Sequence, residues 1–271
     1  GIRVRDLFDE ANLRATVTAK TLSLQQLVEF TETEKQTIER DLETFFQSVR
    51  RILPFVDDTI LLIHSYLKDG RNVLAEGAQG VMLDIDFGSY PFVTASNTTA
   101  GNIATGLGIG PRQIDEIIGV FKSYTTRVGY GPFPTELDDQ IGEHLQTHGN
   151  EFGATTRRKR RCGWFDAALG KYSALINGFT SIALTKLDVL DELDEIKICT
   201  HYEDGAFPAL DLADARPVYL TLPGWQTSTA GARNLSDLPA SARRYLNTIE
   251  DLLAVKISHI SIGKERRQII S

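Results

Sequence analysis

The sequence predicts an α/β protein with a largely parallel central sheet and flanking helices. Three observations carry that expectation. Beyond residue 70, short apolar segments alternate with stretches of helical periodicity, the pattern that a parallel sheet with crossover helices produces. The first seventy residues instead repeat apolar side chains at helical spacing throughout. Finally, residues 76–102, EGAQGVMLDIDFGSYPFVTASNTTAGN, are too dense in Gly, Thr, Ser and Asn to form a packed element, and read as a ligand-contacting surface. Such surfaces belong at strand ends in open α/β sheets.

Taken in order, positions 22–50 place Leu24, Leu27, Phe30, Ile38, Leu42 and Phe45 three or four apart, and predict a packing helix. After Pro54, VDDTILLIHSYL (56–67) predicts a second. Val73-Leu74-Ala75 reads as a short buried strand, with Gly77 and Gly80 allowing turns past its end. Further strands are expected at 117–121, 182–184, 195–199, 218–222 and 257–262. Helices are expected at 166–176 and at 240–253, the latter with Ala242, Tyr245, Leu246, Ile249 and Leu253 on one face. No internal repeat or low-complexity linker interrupts the chain, so a single α/β domain over 1–271 is expected, mainly helical over 1–70 and carrying its ligand-binding loops over 71–271.

Composition excludes more than it assigns. With 271 residues, 42% hydrophobic and 24% charged, the chain has the make-up of an ordinary globular protein. A net charge of -7 disfavours generic nucleic-acid binding, no apolar run reaches the length of a membrane span, and no signal pattern opens the sequence. Cys162 and Cys199 make neither a disulfide framework nor a metal site and read as reduced thiols of a cytoplasmic protein. His144 and His148 are four apart but lack an HExxH arrangement in a segment that reads as polar loop, so no metal site is expected. Trp164 and Trp225 read as packing residues.

Three groups could carry chemistry. Thr185-Lys186-Leu187-Asp188 follows an apolar run, and Lys and Asp two apart at a strand end point the same way. An Asp carboxylate there can accept from guanine N1–H and its 2-amino group, although the pattern alone also fits a solvated strand end. The basic run 157–161 fits a solvated or nucleic-acid-facing patch on its own. Its setting after Gly153-Ala154-Thr155-Thr156 in an acidic chain also fits anion capture by guanidinium forks. Gln79 and Thr94 offer an amide and a hydroxyl suited to a nucleotide, or to satisfying a turn.

Together with TTRVGYGPFPTE (125–136), EFGATTRRKRRCGW (151–164) and LTKLDVLDEL (184–193), the 76–102 segment makes the chain resemble adenylosuccinate synthetase nearly end to end, from RVRDLF to GKER at 263–266. The resemblance implies a phosphate-loop-NTPase-like fold and GTP-dependent ligation of IMP and L-aspartate to adenylosuccinate, with GDP and phosphate released, in the AMP branch of purine biosynthesis. It implies Mg²⁺ with GTP as co-substrate, and a cytoplasmic homodimer. By the same resemblance, Gln79, Thr94, Val128 and Arg158 contact IMP. Thr155, Thr156, Arg158 and Arg160 contact aspartate. Gly129, Arg160, Lys186, Asp188, Ser261 and Gly263 serve GTP, and both Gly129 and Gly131 allow close backbone approach to ligand.

The family also opens with a phosphate loop of the type GDEGKGK, with a catalytic Asp, a catalytic His downstream and an Arg lent to the partner subunit. None of these has a match here, so the resemblance implies a C-terminal portion whose N-terminal strands and main Mg²⁺ ligands lie elsewhere. It would hold no catalytic residue of its own and be inactive alone, with one sheet edge exposed or the fold incomplete. Arg157 stands where the family usually has Gly, Phe87 and Ala95 where His and Ser are commoner, and Ile262 and Lys264 where Thr and Pro are usual. A guanine-nucleotide-binding module without catalysis is the alternative; a nucleic-acid binder acting through 157–161 is a more distant one.

Overall fold

Thr31 decides where the first helices divide. Its hydroxyl accepts from the Glu34 N–H while the Glu34 carboxylate accepts from the Thr31 N–H, a capping box that starts a helix whatever the periodicity upstream. Helix α1 (Glu10–Gln25), capped by Asp9, therefore ends before it and α2 (Glu32–Ile52) begins after it. The single helix expected over 22–50 is two, and Leu24 and Leu27 are 56% and 81% exposed in and beside the last turn of α1. On α2 the residue packed inward is Phe46 rather than Phe45. It joins Leu7, Leu13 and Val49 under the Arg14 guanidinium, 3.9 Å above its ring. Helix α3 (Thr59–Lys68) starts where the Asp58 carboxylate accepts from the N–H groups of Ile60 and Leu61.

The structure, a computed structural model, describes residues 1–153, 157–203, 205 and 212–271. It consists of two compact units, residues 1–73 with α1 to α3, and residues 74–271. The boundary falls close to the point where the sequence changes from helical to mixed periodicity.

In the second unit the elements follow as α4 (Gly101–Leu107), β1 (Ile118–Lys122), β2 (Thr125–Arg127), α5 (Gln140–His148), β3 (Arg161–Gly163) and β4 (Phe165–Asp166). Then come α6 (Ala167–Asn177), β5 (Ser181–Thr185), β6 (Glu195–Tyr202), β7 (Pro217–Pro223), α7 (Ala240–Leu253), β8 (Ile257–Ser261) and β9 (Ile269–Ile270). The main sheet has the order β1-β5-β8-β9; β1, β5 and β8 run parallel and β9 returns antiparallel. A second sheet, β4-β6-β7, joins a parallel and an antiparallel pair, and β2-β3 is an antiparallel ribbon. The largely parallel α/β architecture expected from the alternation is the one present. At one margin of the main sheet, β1 leaves Val120 75% exposed.

The core forms between these layers. Ile182 and Leu184 of β5, Leu187 and Leu190 beyond it, and Ile196 and Ile198 of β6 are buried together with the predicted apolar face of α7. Gly170 of α6 lets that helix approach Leu253 closely: a Cβ there would lie 3.2 Å from the leucine methyls.

Three further local expectations fail. Val73-Leu74-Ala75 is not a strand; no described strand pairs with it, and Leu74 is 92% exposed. Three apolar residues without a neighbouring ladder gain too little to hold extended structure. In the EGAQG turn the left-handed residue is Gln79, at φ +63°, whereas Gly80 is extended. The 140–148 segment is a helix, started by the Asp139 carboxylate accepting from Ile141 and Gly142 N–H.

Candidate functional site

Parallel strands place their carboxyl ends side by side, and here those of β5 and β8 gather Lys186, Asp188, Ser261 and Gly263 from among the residues singled out in the sequence. Beyond β5, Lys186 takes φ +63°, turning the chain into a short 3₁₀ helix, Leu187–Leu190, with Asp188 in its first turn. At the end of the neighbouring β8, Ser261 donates its hydroxyl to the Gly263 carbonyl, and a Cβ at Gly263 would collide with the Gln268 side chain. Asp188 is partly buried. Burial raises its pKa, while Lys186 and Lys264 pull it back down, which places the 261–264 turn within electrostatic reach of Asp188. A groove of about 420 Å³ opens beside Asp188, between His144 and His148 of α5 and the Gln226–Ser228 loop.

Beneath this end of the sheet lies a carboxylate that sequence reading missed. Glu151 is fully buried. Its Oε1 accepts from Lys186 Nζ at 2.6 Å and from the Tyr124 hydroxyl at 2.7 Å. Its Oε2 accepts from Lys122 Nζ at 2.8 Å and from an Arg160 guanidinium N–H at 3.0 Å. Burial by itself would raise the Glu151 pKa. The donors from Lys122, Lys186 and Tyr124 overcome that and hold it at about 2. Breaking such a buried pair from one side costs about 3–5 kcal/mol, so the cluster fixes its members' positions.

Arg160 enters this cluster from the basic segment. Phe152 bridges Lys159 antiparallel, Gly153 N–H donates to the Arg158 carbonyl, and Arg157 N–H donates back to Gly153. The described flanks of the segment thus pair as a narrow antiparallel ribbon; Thr155 and Thr156 lie outside the described residues. Arg157 stands at φ +54°, the left-handed conformation a glycine would adopt without strain. Arg158 is exposed, with its guanidinium 5.7 Å from the Tyr130 ring centroid. A Cβ at Gly129 would lie 3.9 Å from its Nη1. The run is not one patch: Arg161 turns away, forming a forked ion pair with Glu136 and donating to the Gly129 and Gly131 carbonyls.

The 76–102 segment is organised by Asp84, which is buried and accepts from the N–H groups of Asp86, Phe87, Thr98 and Thr99 and from the Asn97 amide. Thr94, half-buried, donates its N–H to the Leu83 carbonyl, and Gln79 is exposed. Arg127 ties this segment to the next: its guanidinium donates to the Ser89 hydroxyl, the Phe92 carbonyl and the Tyr130 carbonyl. Val128, 49% exposed, follows it directly. Gly129 and Gly131 take φ +78° and +111°, and a Cβ at Gly131 would run into Arg127 and Phe92.

A family model for adenylosuccinate synthetase matches residues 1–270. The chain belongs to the adenylosuccinate synthetase family. It is 49% identical to the adenylosuccinate synthetase of Trichormus variabilis and 48% identical to that of Nostoc punctiforme, each over all of this chain and 62% of the relative. The chain thus spans less than two thirds of the length of these curated relatives. Its structure superposes on fully ligated adenylosuccinate synthetase from Plasmodium falciparum with TM-score 0.88 and 35% identity, covering 98% of this chain and 64% of that one. A cyanophage S-2L succinoaminodeoxyadenylate synthetase, at TM-score 0.51 and 18% identity, shares the fold alone.

In this chain the fold brings together Lys186, Asp188, Ser261 and Gly263 at adjacent strand ends. It joins Arg160 to Lys186 through Glu151, and sets Arg158 against Gly129. Arg127, next to Val128, is bonded to Ser89 and Phe92 in the segment that also holds Thr94, and no described contact carries Gln79, Thr94 or Val128 across to Asp188. The residues missed in the sequence, Glu151, Lys122, Arg127 and Asp84, act by pairing with partners distant in the chain. Glu151, Arg127 and Asp84 lie inside the motifs that carry the resemblance, which offered a signal, whereas Lys122 lies outside them. The two tryptophans pack as expected, Trp225 donating its indole N–H to Asp191. Cys162 and Cys199 are buried, unpaired thiols. The fold brings Glu192 to His144 and His148, with ligand atoms within 4.8 Å of one another. That donor set suits a transition metal and not Mg²⁺, which takes oxygen ligands.

Proposed function

We propose that the chain carries the guanine-reading and aspartate-binding surfaces, and part of the IMP pocket, of a GTP-dependent adenylosuccinate synthetase. The observation that carries this reading is the gathering, at the carboxyl ends of β5 and β8 and on the adjoining basic ribbon, of Lys186, Asp188, the 261–263 turn and Arg160. Asp188 would accept from guanine N1–H and the 2-amino group, a pattern adenine lacks, with the Lys186 stem along the base and backbone from Ser261 and Gly263 closing over it. Thr155, Thr156, Arg158 and Arg160 would hold the aspartate, the guanidinium forks meeting its carboxylates. Arg160 would also neutralise GTP phosphates and Arg158 reach the IMP ribose. Gln79, Thr94 and the Val128 backbone would seat IMP, and Gly129 lets the backbone turn beside GTP.

In the reaction, GTP phosphorylates the 6-oxygen of IMP, turning a poor leaving group into phosphate, and the aspartate amine displaces it. Orientation and charge stabilisation are the contributions these residues can make. Mg²⁺ would accompany GTP; the described residues here do not form an oxygen-donor set for it, and no step is assigned to it. A homodimer working in the cytoplasm belongs to the same reading. No helix among the described residues is long and apolar enough to cross a membrane.

The test is an adenylosuccinate-formation assay with IMP, L-aspartate, GTP and Mg²⁺ on the full-length protein and on its Asp188→Ala variant. The variant is expected to raise the KM for GTP by about a hundredfold and to erase the preference for GTP over ITP, which lacks the 2-amino group. Wild-type protein that binds GDP but forms no product would sink the synthetase reading in favour of a nucleotide-binding module.

A further inference from the structure

Glu151 is spent on none of the ligands assigned above, yet it touches two of the residues that would hold them. One carboxylate oxygen takes Lys186, the residue leading into the base-reading turn; the other takes Arg160, the root of the basic ribbon. The Lys186 ammonium is held a second time by the Gly149 carbonyl, at 2.5 Å, two residues before Glu151. The backbone of the ribbon is anchored at the same residue, since Arg160 N–H donates to the Glu151 carbonyl at 2.9 Å. The Gln146 amide fixes the Arg160 carbonyl from α5. Arg160 and Lys186 remain about a third exposed while the carboxylate between them is fully enclosed, so their free faces look outward and their bound faces inward. The buried Nε of Arg160 finds no partner among the described residues.

A buried carboxylate joining two such cations can serve one of two ends. If it only offset buried charge, a single cation would suffice, and a third would be surplus. Here Lys122 of β1 and the Tyr124 hydroxyl saturate the remaining lone pairs, which prevents the carboxylate from swinging toward either ligand-side cation. We propose that Glu151 is a positioning residue that couples the two halves of the site, setting the Lys186 end that reads the guanine nucleotide and the Arg160 ribbon that captures the dicarboxylate in one fixed relation. The proposal rests on the functional reading given above for what those two cations bind. Its geometric part, that one carboxylate holds both segments, stands independently of it.

The consequence is that loosening Glu151 weakens two ligands at once. In Glu151→Gln the neutral amide accepts less strongly, and its NH₂ faces cations. The KM values for GTP and for L-aspartate should rise together, by about tenfold each, while the KM for IMP rises less, by about threefold, since Gln79, Thr94 and Val128 lie on segments held by Asp84 and Arg127 and only Arg158 of that pocket rides on the segment anchored at Glu151. In hydrogen exchange, the peptides covering 146–161 and 184–191 should both gain exchange in the variant, while α6 and α7 should not. A residue that merely supports the fold would lower the active fraction and leave every KM where it was.

Tyr124→Phe removes one donor to Glu151 without a change of shape, and is expected to produce the same paired rise at smaller size. It decides the matter if the Glu151 variant does not fold. Unchanged KM values in a folded variant, or exchange that rises in only one of the two segments, overturn the proposal. Wild-type protein without synthetase activity would overturn the functional reading, and the exchange measurement would then judge the positioning role on its own.

Discussion

Arg157 shows how one side chain can be set against its own backbone. At φ +54° it pays the left-handed penalty of a residue with a Cβ, about 1–2 kcal/mol, where the resemblance leads one to expect glycine, the residue exempt from it. Glycine in turn loses about 0.5–1 kcal/mol through its freer unfolded chain. Arg157→Gly should therefore stabilise the protein by roughly 0.5–1 kcal/mol, seen as a higher urea midpoint at unchanged slope. The sequence exposed the anomaly, because the departure from the family motif was visible. Only the dihedral decided that it carries strain. Gln79 is the converse case: Gly77 and Gly80 are available in the same EGAQG turn, yet Gln79 itself takes the left-handed position.

Elements were legible where a period ran long enough. The buried face of α7, the strands β1, β5, β6, β7 and β8, and α6 with its Asp166 cap lie close to where the apolar patterns put them. The two-residue strand β4 and three-residue strands β2 and β3 were not legible, since they owe their form to partners and not to their own pattern. The same holds for the 81–100 segment, which has almost no regular structure and is held by five donors converging on Asp84. Asp84→Asn puts an NH₂ among those donors and removes the charge that strengthens them. It should cost about 2–4 kcal/mol in global stability or, if the segment opens locally, raise its hydrogen exchange selectively. Full retention of both would mean that Asp84 is not what organises the segment.

On the scale of the whole molecule, the Glu151 cluster predicts an acid limit. Its carboxyl is held at about 2 in the folded state, below an ordinary glutamate in the unfolded chain near pH 4.3. Between those values the unfolded state binds the extra proton, so stability rises with pH, is complete above about 4.3, and is lost as pH falls toward 2. Asp166 works the other way: burial raises its pKa against the Tyr202 hydroxyl and backbone donors, so it offsets part of that gain. Glu151→Gln should flatten the dependence of the urea midpoint on pH between about 2 and 4.3, and an unaltered slope there would refute the assignment. By itself, the sequence determined the α/β class, the helices and strands with sustained periodicity, and the family, because periodicity and motif are local and survive in one dimension. Tertiary structure alone decided that Glu151 sits beneath the site, that Arg161 supports the fold while Arg160 faces the site cluster, and that Arg127 links two loops. Each of those depends on which distant donors meet a buried charge, and desolvation makes that pairing obligatory only once the chain has closed around it.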